Sequence, residues 1–298
     1  MTLPDDVSFE QALVRHAPPL SGVVSPLREA LAVAVGRPGR MVRASLVLES
    51  AASSGMPVAA AEQVACAVEY WHLASLLFDD LPCMDDADER RGGLCLHRTF
   101  GEATAILAAL ALINRAYALV GEAFATRPLA VRRRATALVD AALGPAGLIG
   151  GQARDLAFAP ETSSPRDIGR IAWQKTGTLL WLCVALPALW ARPGRGAQRA
   201  LRRLCVYWGL AYQAVDDLRD VLATSIATGK TVQRDAALRR PNLALALGVP
   251  AARRRVERLL SQAGRTVTAL ARRDGRRAFL ARWHEDVFVA RGAMLRAA

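Results

Sequence analysis

The sequence lacks the cysteine patterns that build zinc sites or disulfide scaffolds. Its 298 residues include five cysteines, at positions 66, 83, 95, 183 and 205, and none of them forms a CxxC pair. Zinc ribbons and disulfide-stapled secreted domains need paired or regularly spaced cysteines, so both classes are excluded. We therefore predict free thiols, which favour a reducing compartment.

Long hydrophobic runs are also missing. The longest uncharged stretch lies between Lys175 and Arg192, contains Pro187, and is shorter than the roughly 20 residues of a bilayer-spanning helix. The N-terminus is acidic and lacks the basic-then-apolar pattern of a signal peptide. Since 52% of the residues are hydrophobic, we expect a soluble, cytoplasmic protein with a large core and no membrane span.

Aromatic residues make up only 6% of the chain, although its formal net charge is +12. The excess comes from arginine clusters such as 132–134, 199–203 and 272–277. These clusters have no interleaved aromatics and no signature of a nucleic-acid-binding motif. We expect solvated helix faces and no nucleic-acid partner, with a positive field that attracts small anionic substrates.

No segment alternates as a β-strand does. Apolar residues instead recur at spacings of three and four, which is typical of amphipathic helices. Helices are predicted at about 26–35, 40–54, 63–78, 101–125, 130–147, 166–191, 197–222 and 251–273. With no repeat and no linker, we predict one all-α domain over residues 1–298, a helical bundle around a central cavity.

Two aspartate clusters stand in apolar surroundings. They are Asp79-Asp80-Leu-Pro-Cys-Met-Asp85 and Asp216-Asp217-Leu-Arg-Asp220. Carboxylates are seldom buried unless they are paired or bind metal. Asp216 and Asp220 are four residues apart and therefore share a helical face. Two such clusters would hold hard cations, and hard cations suit diphosphate substrates.

Cationic side chains accompany the first cluster. Arg40 and Arg43 are three residues apart, so we expect both guanidinium groups on one helical face. Arg90 and Arg91 follow the carboxylates, and guanidinium groups bind phosphate bidentately. His72 lies about two helical turns before the first aspartate, on the same face. It is either a ligand of this site or a core residue with its own partners.

Further short motifs follow in order: Gly150-Gly151-Gln152-Ala-Arg-Asp155-Leu, Lys175-Thr176-Gly177, Gly229-Lys230-Thr231 and then Asp235. Each is weak alone, and Gly-Lys-Thr lacks the earlier glycine and the strand of a phosphate loop. Together with both aspartate clusters, the Arg-Arg-Gly at 90–92 and Gln213 after Tyr212, they form a specific set. The sequence resembles the trans-isoprenyl diphosphate synthases, or polyprenyl synthetase family, most like the bacterial geranylgeranyl diphosphate synthases of the carotenoid type.

The resemblance implies an isoprenoid synthase-type helical bundle and a homodimer. It also implies transfer of an allylic group, most simply from farnesyl diphosphate, to isopentenyl diphosphate. The ions would be Mg²⁺, about three as in the family, with Mn²⁺ as an alternative. The metal ligands would be Asp79, Asp80, Asp85, Asp216, Asp217 and Asp220.

The same resemblance assigns the binding groups. Arg90, Lys175 and Lys230 would bind the allylic diphosphate, and Arg40, Arg43, His72 and Arg91 the diphosphate of isopentenyl diphosphate. The carbonyl groups and the hydroxyl around Lys175 and Thr176, with Gln213, would stabilise the allylic carbocation electrostatically. Such a cation needs a dry cavity, because water would quench it.

Several positions depart from the family pattern. They are Arg40 for Lys, Ala44 for Pro, Leu94-Cys95 for Pro-Thr, Ala109-Leu110 for Gly-Asp, and Arg240-Pro241-Asn242 for Lys-x-Thr. These departures affect fine tuning of the isopentenyl site, whereas the metal ligands and phosphate-binding cations are retained.

Product length is predicted from the helix that leads to Asp79. Ala74 lies about 7.5 Å and Trp71 about 12 Å back along this helix. Farnesyl-type members carry a bulky aromatic at the position of Ala74, whereas Ala74 and Ser75 leave room here. Trp71 is then either the floor of the cavity or ordinary core packing. The expected product is the C20 compound geranylgeranyl diphosphate.

Four alternatives remain at this point. A farnesyl or longer-chain synthase shares every motif. A class I terpene cyclase needs no second diphosphate site, so Arg40, Arg43 and Arg91 argue against it. A non-catalytic synthase subunit is expected to lose an aspartate motif, and both are complete. A basic nucleic-acid binder leaves the carboxylates unexplained.

Overall fold

The computed structural model describes residues 6–37, 39–222 and 238–289. This part of the chain is almost entirely helical, which confirms the all-α prediction. Its contacts divide the chain into two compact units, residues 1–135 and 136–298. We call them the N-terminal and the C-terminal unit; a single domain over residues 1–298 stays a prediction.

The N-terminal unit is built around one central helix. Its helices are α1 (Asp6–Arg15), α2 (Ser25–Val35), α3 (Val42–Ser54), α4 (Val58–Asp79), α5 (Leu96–Phe100) and α6 (Glu102–Ala123), and α7 (Leu129–Leu143) crosses the boundary between units. α4 packs mainly against α6 and α3. Val64, Val68, Trp71 and Ala74 of α4 are buried. Because α4 buries residues on nearly all its faces, it forms the core of this unit.

α6 has apolar residues on two faces. One face, which includes Ala108 and Leu112, is buried. In the part of the chain that the structure describes, Glu102–Ala123 is the one helix long and apolar enough to cross a membrane. Of its apolar stretch, 39% is buried. Core helices of soluble proteins meet the same criteria of length and composition.

The C-terminal unit is organised by one long helix. Its elements are α8 (Leu148–Leu156), α9 (Pro165–Ala172), a π-helical turn (Trp173–Gly177), α10 (Thr178–Ala191), α11 (Arg195–Leu222), α12 (Leu243–Leu247), α13 (Val249–Arg273), a 3₁₀ turn (Gly275–Arg277), α14 (Phe279–His284) and a second π-helical turn (Glu285–Val289). α11 packs mainly against α13. Trp208, fully buried in α11, donates a hydrogen bond of 3.1 Å from Nε1 to Nδ1 of His284.

Two local features differ from the sequence-based expectation. The predicted helix 166–191 is interrupted by the π-helical turn Trp173–Gly177. A short antiparallel pair, β1 (Glu89–Arg90) and β2 (Gly93–Leu94), follows the first aspartate cluster. Two residues with positive φ join its strands, Arg91 at 54° and Gly92 at 77°. Each strand has only two residues, which is too short to show the alternation of a β-strand in the sequence.

The expected placement of Arg40 on a helical face is wrong. α3 begins at Val42, and Met41 before it has a φ of 44°, in the left-handed region. Arg40 therefore lies in an exposed turn, whereas Arg43 lies in the first turn of α3. The prediction of free thiols is confirmed, since the five cysteines, all within the described residues, form no disulfide bond.

Candidate active site

The first aspartate motif lies where α4 ends. Asp79 is the last residue of α4, and the following turns fold back on it. The backbone N–H of Asp85 donates to the carbonyl oxygen of Asp79 at 2.9 Å, and that of Ala87 donates to Asp80 at 3.2 Å. Asp79 and Asp85, six residues apart in sequence, are thereby held next to each other. Both residues are half-buried, and the negative end of the helix dipole adds to the attraction for cations.

Asp80 has a different environment from its neighbour. It is 2% exposed, and Arg90 donates from Nε to its Oδ1 at 2.6 Å. Burial lowers the pKa of Arg90, but its hydrogen bond to Asp80 and the charges of Asp80 and Asp79 raise the pKa above its ordinary value. Burial, followed by the charge of Asp80 and a hydrogen bond with it, raises the pKa of the Cys95 thiol to about 12. Cys95 thus keeps a neutral hydrogen-bonding group where the family pattern has Thr.

At the hairpin turn, the side chains of Arg90 and Arg91 contact different partners. Arg90 reaches Asp80, whereas Arg91 donates from Nη1 to the carbonyl oxygen of Arg37 at 2.6 Å. The guanidinium of Arg91 lies against Gly39, where an added Cβ would come within 2.5 Å of Cζ. A glycine suits this position mainly because of its φ of 79°, since the flexible end of Arg91 could shift to make room for a Cβ. Arg91 therefore lies beside the turn that carries Arg40.

Arg43 lies near the same place. Its Nε is buried and has no hydrogen-bond partner in the described structure. The charges of Arg43 and Arg91 both act on the buried carboxylate of Glu69, so the two guanidinium groups lie in one neighbourhood. His72 is half-buried on α4, three residues beyond Glu69. The arrangement is a cluster of cations suited to an oxygen-rich anion.

The predicted chain-length residues line one stretch of α4. Trp71 and Ala74 are 3% and 1% exposed. The indole of Trp71 meets the ring of Tyr117 on α6 edge to face, with centroids 5.4 Å apart. Ser75 is half-buried and donates its hydroxyl to the carbonyl oxygen of His72 at 2.8 Å. Trp71 is therefore fixed between α4 and α6.

In the C-terminal unit, the π-helical turn carries the predicted catalytic pair. Lys175 Nζ lies 3.1 Å from Oδ2 of Asp155 on α8, and Arg240 Nη1 lies 3.8 Å from the same oxygen. Thr176 Oγ1 donates to Oε1 of Gln213 on α11 at 3.3 Å. π-Helical turns are frequent at functional sites because they turn side chains out of the regular helical pattern.

Glycines allow these elements to approach closely. A Cβ at Gly209 in α11 would lie 2.6 Å from Cα of Gly177, and one at Gly151 in α8 would lie 2.8 Å from the backbone nitrogen of Lys175. Larger residues would push α11 and α8 away from the π-helical turn. Gly209 was missed in the sequence, although a glycine inside a helix costs about 1 kcal/mol and so hints at a packing role.

The second aspartate motif lies within α11. Asp216 is exposed and Asp220 half-buried. Asp217 is 1% exposed, and its Oδ1 accepts from Nε2 of Gln213 at 3.0 Å while its Oδ2 accepts from the backbone N–H of Leu243 at 2.8 Å. Asn242, one of the departures, donates from Nδ2 to the carbonyl oxygen of Asp217 at 3.2 Å. The departure therefore supports this motif.

The predicted ligands divide into two kinds. Asp80 and Asp217 are buried with protein donors on their carboxylates, whereas the outer aspartates 79, 85, 216 and 220 are more accessible. The described residues contain no preformed group of three or more side chains that could hold a metal. By chemistry the outer carboxylates fit Mg²⁺, which takes oxygen ligands and keeps several waters. Lys230, Thr231 and Asp235 lie outside the described residues.

Comparison with known proteins decides the family. The polyprenyl synthetase family profile matches residues 24–272. The chain belongs to the polyprenyl synthetase family. Geranylgeranyl diphosphate synthase of Pantoea ananas is 37% identical over 201 residues, which cover 67% of this chain and 65% of that protein. Farnesyl diphosphate synthase of Escherichia coli K12 is 35% identical over 266 residues, 88% of each chain.

Solved structures show the same fold. A Helicobacter pylori geranyltransferase, crystallised with magnesium and isoprenyl diphosphate, matches with a TM-score of 0.83 at 24% identity, over 95% of this chain and 94% of that one. The polyprenyl synthetase assignment agrees with the resemblance carried by the two aspartate motifs. Relatives are named for both geranylgeranyl and farnesyl products, so membership of the family leaves product length open.

Proposed function

We propose that this polyprenyl synthetase is a Mg²⁺-dependent prenyltransferase that condenses isopentenyl diphosphate with farnesyl diphosphate, giving geranylgeranyl diphosphate and diphosphate. The main support for the proposal comes from the N-terminal unit. There, accessible carboxylates lie at the end of α4, and a separate arginine cluster lies beside α3. One diphosphate needs metal and the other needs guanidinium groups alone, so two different anion sites fit two diphosphate substrates.

The allylic diphosphate is assigned to Arg90 and Lys175, with Lys230 in addition. Mg²⁺ held by the outer aspartates would neutralise the charge that develops on the leaving diphosphate. Arg90 and Lys175 each already have an acidic neighbour, Asp80 and Asp155 respectively. This pairing fixes the direction of each side chain before the substrate binds, which lowers the entropic cost of binding.

Isopentenyl diphosphate is assigned to Arg40, Arg43, Arg91 and His72. If these residues hold isopentenyl diphosphate beside the allylic substrate, a bimolecular encounter becomes a reaction between two positioned molecules. The allylic carbon–oxygen bond breaks, the isopentenyl double bond attacks that carbon, and a proton leaves the new intermediate for the released diphosphate. The Thr176 hydroxyl and Gln213 would stabilise the positive carbon electrostatically.

A product of C20 length is supported by the small residues below Asp79. Ala74 and Ser75 would leave space along α4, and Trp71, which packs against Tyr117, would close that space about 12 Å from Asp79. A C15 product is the second candidate, because relatives of similar identity are named farnesyl diphosphate synthases.

Analysis of the products distinguishes the two candidate chain lengths, C20 and C15. The purified chain is incubated with isopentenyl diphosphate and dimethylallyl, geranyl or farnesyl diphosphate, and the products are separated by chain length. We expect mainly C20 from wild type, mainly C15 from Ala74→Tyr, and products beyond C20 from Trp71→Ala. Trp190→Ala, in the C-terminal unit, is the matched control and should keep the wild-type product. A wild type that makes mainly C15 would support farnesyl diphosphate synthase instead.

A homodimer is proposed from the second face of α6. Its exposed side includes Ile106, Leu107, Leu110 and Tyr117, which are 36% to 52% exposed. Ile106 and Leu107 lie four and three residues before Leu110, and Tyr117 lies seven residues after it, so the four side chains form one apolar stripe, the pattern by which helices of two subunits pack. Leu110 stands where the family pattern has an acidic residue, and a second copy of the chain would remove this apolar stripe from water.

Light scattering after size exclusion tests the dimer. We expect twice the monomer mass for wild type and the monomer mass for Leu110→Glu. Leu245→Glu, at a residue of equal exposure in the C-terminal unit, should stay dimeric. A monomeric wild type would contradict the proposal. We also propose a cytoplasmic location, which the free thiols support.

A further inference from the structure

α3, the helix that carries Arg43, begins without a local cap. Its first turn has no acidic residue, and Met41 before it makes no side-chain hydrogen bond to the helix start. Helices leave their first N–H groups unsatisfied, and a side chain normally accepts from one of them. Here the acceptor comes from another helix, because Oε1 of Glu69 on α4 accepts from the backbone N–H of Ala44 at 2.9 Å.

Glu69 is one of the buried carboxylates of this chain, like Asp80 and Asp217. It is 1% exposed, although isolated carboxylates are almost never fully buried. Burial raises the pKa of Glu69; the charges of Arg43 and Arg91 and hydrogen bonds from the backbone N–H groups of Ala44 and Arg43 oppose that rise. Its surroundings thus consist of the start of α3 and the two guanidinium groups assigned to isopentenyl diphosphate.

The contact is made to the backbone of Arg43 and not to its side chain. Among the described residues, the buried Nε of Arg43 has no hydrogen-bond partner. Glu69 therefore fixes the backbone at Arg43 while the Nε atom of that arginine keeps no hydrogen-bond partner. When it is ionised, Glu69 also offsets the repulsion between Arg43 and Arg91, which must lie close together to share one diphosphate.

We propose that Glu69 is a positioning residue that orders the isopentenyl diphosphate site through the start of α3. This inference rests on the proposed function and adds a residue that neither the sequence motifs nor the substrate assignment includes. Its hydrogen bonds hold the backbone of Arg43, and its charge keeps Arg43 and Arg91 together.

Steady-state kinetics with both substrates test the inference. In Glu69→Ala, which loses acceptor and charge, KM for isopentenyl diphosphate should rise about tenfold, as expected for lost hydrogen bonds to a charged group. KM for farnesyl diphosphate and kcat should stay within about twofold of wild type. Glu69→Gln keeps an acceptor oxygen but no charge, so its KM for isopentenyl diphosphate should rise only about threefold.

The matched control is Ser164→Ala, which removes a local N-cap from α9 in the C-terminal unit. It should leave both KM values unchanged. That result would show that the loss of a helix cap does not by itself raise KM for isopentenyl diphosphate. Equal rises in both KM values, or no rise for isopentenyl diphosphate, would overturn the role of Glu69. If Glu69→Ala does not fold, Glu69→Gln decides by the same comparison. A wild type that does not consume isopentenyl diphosphate would instead refute the proposed function.

Discussion

The two aspartate motifs achieve a similar arrangement by different means. In the N-terminal unit, the motif follows the end of α4, and backbone hydrogen bonds of a turn bring Asp85 back to Asp79. In the C-terminal unit, the motif lies inside α11, and helical periodicity places Asp216 and Asp220 on one face. In both, one inner aspartate is buried and its neighbours remain accessible to cations.

The inner aspartates differ in how their charge is satisfied. Asp80 is paired with a cation, Arg90, whereas the carboxylate of Asp217 accepts from a neutral amide and a backbone N–H. A buried ion pair is costly to break from one side, because the remaining charge loses its partner. A carboxylate held by neutral donors loses less when one donor is removed. The N-terminal motif should therefore be the more sensitive to single substitutions around it.

The largest expected effect is the loss of catalysis when an outer aspartate is removed from either unit. Asp79→Ala and Asp216→Ala should each lower kcat about 10³-fold, because metal assistance contributes several kcal/mol to such a reaction. Activity in Mg²⁺ buffer, with and without EDTA, is the measurement. Asp86→Asn, in the same loop but paired with Arg98 on the surface, is the control and should stay active. Near-normal rates in both variants would refute the metal-ligand assignment.

The next effect concerns stability and tests the inner aspartates. Arg90→Ala should lower the free energy of unfolding by about 2–3 kcal/mol, at or below the low end for a buried ion pair, because the Arg90 side chain is 23% exposed. Gln213→Ala should cost only about 1 kcal/mol. Urea denaturation followed by circular dichroism gives both values. The double variant Asp80→Ala with Arg90→Ala should recover part of the loss, and equal costs in the two units would contradict the comparison.

A smaller effect separates the two substrates. Arg43→Ala should raise KM for isopentenyl diphosphate about tenfold and leave KM for the allylic substrate within about twofold, whereas Lys175→Ala should do the reverse. Initial rates with each substrate varied in turn provide the measurement. An equal rise of both constants in Arg43→Ala would show that the arginine cluster does not belong to one substrate.

The smallest effect is a pH dependence specific to the C-terminal unit. Burial lowers the pKa of His284 below the usual 6.5, despite the charge of Glu285 and a hydrogen bond with the backbone of Leu260. Below pH 6.5 the unfolded chain therefore binds a proton that the folded chain does not, so stability falls as the pH falls. The slope is at most about 1.4 kcal/mol per pH unit. His284→Gln cannot titrate and should flatten unfolding curves between pH 5 and 6.5, and an unchanged slope would exclude His284 as the cause.

The sequence alone determined the fold class and the family, and it predicted most residues of the candidate site. Apolar periodicity is a local property, so it predicts α4 and α11 to within a few residues. Spacing within a motif is also local, so Asp79 and Asp85, Asp216 and Asp220 could be recognised as candidate ligands without coordinates. The glycines of the Arg-Arg-Gly and Lys-Thr-Gly motifs were visible for the same reason.

Tertiary structure decided the surroundings of each of those residues. Asp80 and Asp217 look like their neighbours in sequence, and only packing buries them and supplies Arg90 or Gln213 as a donor. The start of α3, the π-helical turn and the role of Glu69 depend on partners 25 or more residues away or on close contact between helices. A hydrogen bond across such a separation leaves no periodic signal, because its geometry is fixed by how helices pack and not by neighbours in the chain.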